Sequence, residues 1–437
     1  MKESRYNIFF HMGKNILAYN ARTNALAEIS QEDYKVIQSI FKDPDSNSTN
    51  KLYQDLLYGG FLVEDNFDEL AMIRHNMYAS RFSTNTLKLT IAPTADCNFR
   101  CPYCYERDVL KDKQMTDDVE NKIIQMIESN LKSIATLGVT WYGGEPLLER
   151  KRIESMSEKI IKLCNDYKVD YFAGIITNGY LLDPDTLLML AKYNVRTIQI
   201  TLDGVAKTHD QRRYLKNKGK TFDKIMKNLM DISMLYEEER EKLPNISIRI
   251  NVDKNNKEDA SELLNFITNS PISRFVAPYI AGVYDHKDID NEYTLTTGEY
   301  NELRDRFIEE CIDKGYRIDY NTFYPRYITS NCVCDRINSG VIDPEGNIYK
   351  CWEEMGEESV CVGQVGGNPI SNLPKRYFDY MLFDPTLDEK CSQCIILPVC
   401  MGGGCPLRRS RDKVRNCDEQ ISEIKSSIIK SYKLMNQ

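Results

Sequence analysis

The sequence predicts an α/β protein: a partial (β/α)6 TIM-type barrel over 81–320, a small N-terminal winged-helix-like α+β domain at 1–80, and an irregular, cluster-stapled C-terminal domain at 321–437. Three observations carry that expectation. Six strand-like runs alternate with helix-like ones through the middle of the chain; short alternating apolar runs open it; and beyond about residue 320 the alternation stops while cysteine becomes dense. With 437 residues, 42% of them hydrophobic and 28% charged, the chain can bury a sizeable core and divide into two or three domains.

At the start, YNIFF and NILAYN are joined through HMGK and followed by ALAEI, then by amphipathic stretches near 31–42 and 49–58. This reads as a β-hairpin plus helices. The strands expected next are 86–92, 137–142, 171–177, 196–202, 246–252 and 275–281. Helical patterns lie near 116–134, 148–167, 184–193, 222–240, 257–268 and 298–314. Six such units imply a parallel sheet, and curvature into a partial barrel closes it economically. After about 320, Gly and Pro punctuate segments such as DPEGN and GQVGGNP. So little periodic apolar sequence needs staples, which metal clusters would supply. A final amphipathic helix is expected at about 418–435.

The formal charge of −8 argues against a protein whose main work is gripping nucleic-acid backbone. No window approaches eighteen apolar residues, and MKESRYNIFF lacks the basic, apolar and small-residue order of a secretion signal. A cytoplasmic protein without membrane association is therefore expected. In that setting its 14 cysteines read as metal ligands or catalytic thiols rather than a disulfide framework. Cys97, Cys101 and Cys104 lie within eight residues, nine more fall between Cys332 and Cys417, and Cys164 and Cys311 stand alone.

The segment CNFRCPYC follows the first barrel strand, hence on the face where such barrels place their active sites. Three thiolates on a cubane iron–sulfur cluster leave one iron open for a ligand; a zinc knot or a four-cysteine cluster completed from elsewhere is the alternative. Later strand ends carry Gly143-Gly144-Glu145-Pro146, Thr177-Asn178-Gly179, Thr201-Leu202-Asp203-Gly204 and Asn251-Val252. Each alone is a turn; together, in this order, they form a constellation.

Here the sequence resembles the radical S-adenosylmethionine (SAM) superfamily, whose CxxxCxΦC signature is matched by Cys97, Cys101, Tyr103 and Cys104. The resemblance covers roughly 86–315 and implies a SAM-binding 4Fe–4S cluster on those three cysteines. It assigns GGEP to the SAM amino group. It implies reductive cleavage of SAM to a 5′-deoxyadenosyl radical that abstracts a hydrogen atom. His209-Asp210 and Arg212-Arg213 resemble a stretch common in one subgroup, in which an arginine such as Arg213 could meet the SAM carboxylate. A surface cluster capping the following helix is the other reading.

The C-terminal cysteines resemble the SPASM extension, which carries two auxiliary 4Fe–4S clusters. Gly346-x4-Cys351 and Cys391-x2-Cys394-x5-Cys400 match as written, whereas Met401-Gly402-Gly403-Gly404 puts one residue more than usual before Cys405. The family order gives Cys391, Cys394, Cys400 and Cys417 to an outer cluster. It gives Cys351 and Cys405, with Cys332 or Cys334 or both, to an inner one. If only one of that pair binds, an iron stays open to a substrate thiolate. Cys164, Cys311 and Cys361 read as core thiols. Glu353 and Glu354 are either proton acceptors near the inner cluster or solvated loop residues.

A hairpin and helices before such a barrel resemble the leader-recognition element of enzymes that modify ribosomally made peptides, which can bind by strand addition. The combined resemblance is to sactipeptide and ranthipeptide maturases, RiPP enzymes that link a cysteine sulfur to a carbon as a thioether. It implies a precursor peptide and a flavodoxin, ferredoxin or reductase as partners. The alternatives are formylglycine formation of the sulfatase-maturing type, a carbon–carbon cross-linking maturase, a peptide epimerase, or a noncatalytic iron–sulfur electron carrier.

Overall fold

The computed structural model describes residues 1–107, 112–283, 293–367, 373–412 and 417–436, which group into two compact units. One comprises Thr84–Ile318 and Asn338–Tyr377; the other comprises Met1–Ser83, Asp319–Ile337 and Phe378–Gln437. The division of the sequence into domains at 80 and 320 follows changes of pattern and stays a proposal.

In the first unit, the strands Thr86–Ile91, Thr136–Trp141, Asp170–Thr177, Val195–Leu202, Asn245–Val252 and Val276–Gly282 lie side by side in chain order, all parallel. Chain-order pairing with a helix in each crossover winds the sheet one way, so it curls as in a barrel. The first and sixth strands do not pair, so the barrel is partial. The sheet instead continues past its first strand. Ser339–Ile342 pairs parallel with Thr86–Ile91, and Asn347–Tyr349 and Gly363–Gln364 follow antiparallel. The segment expected to be irregular thus adds three strands to the barrel sheet.

The helices Asp117–Asn130, Arg150–Tyr167, Pro184–Lys192, Phe222–Glu239, Asp259–Thr268 and Thr297–Asp313 fall within a few residues of expectation. Their starts are set by local chemistry. Thr116 accepts the Val119 N–H, Asp183 precedes a proline and accepts from Thr186, and Thr296 with Glu299 forms a reciprocal capping box. The fifth strand shows the sheet's two faces: Ile246, Ile248, Ile250 and Val252 are buried in the main core, while Ser247, Arg249 and Asn251 between them are half-buried on the inner face. Each buried isoleucine contributes roughly 1.5–3 kcal/mol.

In the second unit, Asn7–Met12, Asn15–Asn20 and Ala25–Ile29 form a three-stranded antiparallel sheet, followed by helices Gln31–Lys42, Lys51–Gly59 and Glu69–Arg81. The third helix has no counterpart among the sequence expectations. Its apolar stripe is short, Ile73 and Met77, and its buried ends are charged. Glu69 accepts from Ser4, the Arg5 N–H and Arg22, while Arg81 pairs with Asp335 at 3.8 Å, both side chains fully buried. Tyr6, Ile8 and Tyr19 share one core with Ile73, Met77, Cys391, Ile396, Leu397, Met401 and Ile428, the last from the closing helix Cys417–Met435. The N-terminal strands and the outer cysteine segment therefore fold as one body. No helix among the described residues is long and apolar enough to cross a membrane.

Candidate active site

The loop after the first barrel strand is pinned from two sides. Ala95 N–H donates to Lys113 O and Met115 N–H to Pro93 O, while Arg100 N–H donates to Tyr214 O and Lys216 N–H to Asn98 O. Against this loop lies the turn after the second strand: Gly144 N–H meets Thr94 O at 3.3 Å and Glu145 N–H meets Asp96 O at 2.9 Å. A Cβ on Gly143 would stand 2.4 Å from Thr94 O, and one on Gly144 would stand 2.2 Å from Asp96 O. Only glycine lets the two backbones approach so closely, and Gly143 also has φ +104°.

Glu145 is fully buried and ties three strand ends together. Its carboxyl accepts the Leu147 N–H at 3.0 Å, the Thr177 hydroxyl at 2.7 Å and the Asn178 N–H at 2.7 Å. Burial raises its pKa, opposed by those same hydrogen bonds. Pro146, also buried, begins the short turn Pro146–Glu149. Asn178 in turn donates to Asn98 Oδ1 at 2.7 Å, inside the cysteine loop.

A second network closes the far side. The Tyr103 hydroxyl donates to Asp203 Oδ1 at 2.9 Å and accepts from Arg213 at 2.8 Å and from Asn251 at 3.3 Å. Arg212 bridges Asp203 and Asp253, at 2.9 and 2.8 Å. Asn256 donates to the carbonyls of Asp203 and Asn251, both at 2.8 Å. Thr201 is buried in the fourth strand opposite Arg249, and the Val252 side chain is fully buried in the main core. Asp253 and Asn256 were not singled out in the sequence, although the DKNN run that holds them is turn chemistry.

His209 is structural rather than basic. Its Nδ1 lies 3.3 Å from the Asp203 N–H and its Nε2 lies 3.1 Å from Thr221 Oγ1, whose own proton goes to Arg213 O. An Nδ1 that accepts leaves the proton on Nε2. Burial first, then Arg213 and Arg212, hold its pKa well below the ordinary histidine value.

Burial raises the pKa of all three loop cysteines, Cys104 to about 12, and Cys101 lies near enough to Cys97 and Cys104 to add to theirs. Among the described residues, no three His, Cys, Asp or Glu side chains converge as the ligands of a single metal ion would. A cubane presents its irons at separate corners and so takes thiolates set further apart. Burial raises the Cys101 pKa, and Arg213 lies close enough to oppose that rise. Arg213 Nε and Arg212 Nη2 are buried with no hydrogen-bond partner. Buried guanidinium donors beside an open thiol loop suit an anionic ligand, and the residues therefore fit a SAM-bound cluster.

The hairpin Ser339–Ile342 to Asn347–Tyr349 explains the Gly-x4-Cys spacing. Gly346 takes the turn at φ +84° and Cys351 follows the second strand, buried. Beyond it, Trp352 stacks on Tyr142 with centroids 5.4 Å apart. Glu354 is buried and paired with Arg376 at 3.6 Å, whereas Glu353 is half-buried and, after burial and Cys104, adds to the rise in the Tyr142 phenol's pKa. In the other unit, burial raises the pKa of Cys394 and Cys400, Cys417 lies near enough to both to add to it, and Cys391 is buried beside them in sequence. Met401, Gly402, Gly403 and Gly404 all have positive φ, so the added residue before Cys405 is taken up in a left-handed run that glycine tolerates. Cys405 is exposed. Cys332 and Cys334 are neighbours, the Cys334 thiol and N–H lowering Cys332 to about 6. Cys164 and Cys311 are buried in the main core and Cys361 is half-buried.

Comparison with known proteins agrees with this geometry. The Radical SAM superfamily model matches residues 91–267. A GTP 3',8-cyclase of Clostridium perfringens (strain 13 / Type A) is 30% identical over 278 residues, 60% of this chain and 79% of that protein. A cysteine-type anaerobic sulfatase-maturating enzyme of Clostridium novyi (strain NT) is 24% identical over 343 residues, 73% of this chain and 87% of the other. The structure of Streptococcus suis SuiB bound to precursor peptide SuiA has the same fold at 15% identity and TM-score 0.54, over 94% of this chain and 97% of that one.

Proposed function

Because the chain belongs to the radical SAM superfamily, whose members bind SAM and a 4Fe–4S cluster, we propose that it matures a ribosomally made precursor peptide by joining a cysteine sulfur to a carbon as a thioether. The observation that carries this reading is the three-stranded N-terminal sheet with its helices, folded in one core with the outer cysteine segment. A barrel alone would not need it. The SuiB–SuiA complex supports it, being a peptide-bound protein of the same fold along nearly the whole chain.

Cys97, Cys101 and Cys104 hold the catalytic cluster, which with SAM supplies a 5′-deoxyadenosyl radical when both are bound. The close-set backbone of Gly143, Gly144 and Glu145 offers carbonyls to the SAM amino group, and the unpartnered donors of Arg213 and Arg212 face its carboxylate. Tyr103, Asp203 and Asn251 fix the far wall through their hydrogen bonds. Glu145 acts through the strand ends it ties, a positioning role. In the peptide, one C–H and one S–H are exchanged for one C–S bond. One hydrogen leaves as an atom, the other as a proton and an electron. We assign the electron acceptor to the auxiliary sites, outer Cys391, Cys394, Cys400 and Cys417, and inner Cys351 and Cys405 with Cys332, Cys334 or both. A flavodoxin or ferredoxin is the proposed external donor.

The test is anaerobic reconstitution of the native chain and of a Cys97/Cys101/Cys104→Ala variant, with iron counting, a SAM-cleavage assay and mass spectrometry of candidate peptides. About twelve irons, falling to about eight in the variant, are expected, with 5′-deoxyadenosine from the native protein only and a peptide lighter by two hydrogens. SAM cleavage with no such loss in any peptide would defeat the reading. The resemblance to the Clostridium novyi sulfatase-maturating enzyme favours formylglycine formation as the second reading. Its product would exchange the cysteine sulfur for an aldehyde oxygen instead.

A further inference from the structure

We propose that Arg249 selects the substrate: its guanidinium binds a carboxylate of the peptide, an aspartate or glutamate side chain near the reacting position, inside the barrel. This rests on the peptide reading above.

Arg249 is on the inner face of the fifth strand, between buried Ile248 and Ile250, which face the helices. Its neighbours across the sheet are Thr201 on the fourth strand and Tyr279 on the sixth. Arg249 Nε donates to Asn251 Oδ1 at 2.8 Å, and Asn251 donates to the Tyr103 hydroxyl of the cysteine motif. On its other side the Tyr279 hydroxyl, near enough for Arg249 to oppose the rise that burial gives its pKa, donates to Gln199 Oε1 at 2.6 Å. The side chain is thus held by neutral groups on both sides, directly linked to the site.

Among the described residues no carboxylate pairs with it, Glu353 being the one that acts with it on the Tyr142 phenol. Arg212, on the same wall, has Asp203 and Asp253, but Arg249 makes no ion pair among the described residues. A guanidinium carries five N–H donors in a fixed fork, and its neighbours take only part of them. A half-buried cation with unused donors on the inner face of the sheet matches a carboxylate better than any neutral group does, because the fork fits both oxygens at once. The SAM carboxylate is the other possible source of that chemistry. Arg249 precedes Asn251 by two residues, roughly 7 Å further down the strand from the mouth. The unpartnered donors of Arg213 and Arg212 lie beside the cysteine loop instead.

The probes are two fluorescent peptide pools with random flanks around a central cysteine, one carrying Asp and Glu and the other Asn and Gln at the same positions. They are titrated against reconstituted, SAM-loaded enzyme. The wild-type protein should hold the acidic pool about tenfold more tightly. Arg249→Gln should equalise the pools while still binding SAM, which reports an intact fold. Arg249→Lys, keeping the charge without the fork, should recover part of the preference. Should Arg249→Gln fail to fold, the Arg249→Lys variant must by itself narrow the preference. Preference surviving in both variants overturns the proposal. SAM affinity falling in place of pool preference assigns Arg249 to the SAM carboxylate and overturns it as well. Equal binding of both pools by the wild-type protein overturns the role of Arg249 while leaving the peptide reading standing. Binding of neither pool overturns the peptide reading and this inference together.

Discussion

The Tyr103 hydroxyl donates to Asp203 at 2.9 Å, joining the cysteine loop to the end of the fourth strand. Because the same oxygen accepts from Arg213 and Asn251, Tyr103→Phe leaves two donors and a fully buried carboxylate short of a partner. The expected cost is about 1–3 kcal/mol, with weaker SAM binding because Arg213 is no longer held. Anaerobic urea unfolding and SAM titration measure the two effects. An unchanged stability would mean that water replaces the hydroxyl without loss.

Gly144→Ala places a methyl group 2.2 Å from Asp96 O, backbone against backbone. Neither side can rotate away, so the cysteine loop must shift. SAM affinity is expected to fall at least about tenfold, since roughly 1.4 kcal/mol of strain suffices for that. An alanine variant with native affinity would show that the loop approaches the turn less closely in solution.

His209 predicts a pH dependence. The folded chain holds it neutral well below its ordinary pKa, while the unfolded chain protonates it near 6.5. Below that pH the unfolded state binds the extra proton, so stability is complete above about 6.5 and falls as pH drops toward the folded value. The slope is at most about 1.4 kcal/mol per pH unit. His209→Gln, which keeps a donor to Thr221, should flatten the fall between about pH 6.5 and 5. Urea midpoints across that range decide it, and an equally steep variant would assign the slope to other groups.

Cys391 packs in the same core as Tyr6, Ile8 and Tyr19. Cys391/Cys394→Ala is therefore expected to lose about four irons and also to speed amide exchange in Asn7–Asn20, because the N-terminal strands lose part of their packing. Hydrogen exchange read by mass spectrometry tests the coupling. Iron loss with unchanged protection would separate the strands from the cluster.

The sequence by itself determined the six barrel strands and their helices, each matched to within a few residues, because a buried strand and an amphipathic helix write their periods locally. It also placed Cys97, Gly144, Glu145, Asn178, Asp203 and Asn251 at strand ends, since motif order along a singly wound barrel maps onto one rim. Other features depended on partners far away in the chain. Ser339–Ile342 joins the barrel sheet only because Thr86–Ile91 leaves an edge for it. Glu69–Arg81 is helical although its buried ends are charged, because Arg22 and Asp335 neutralise them. In sequence His209 stands in a charged stretch with Arg212-Arg213 and Arg249 in a strand-like run, and neither pattern says what the side chain meets. The tertiary structure decides between them: one is sealed among Asp203, Thr221 and Arg213, and the other, on the inner face of the sheet, makes no ion pair among the described residues. Periodicity records which face of an element is buried, whereas only packing decides which charges find a partner there.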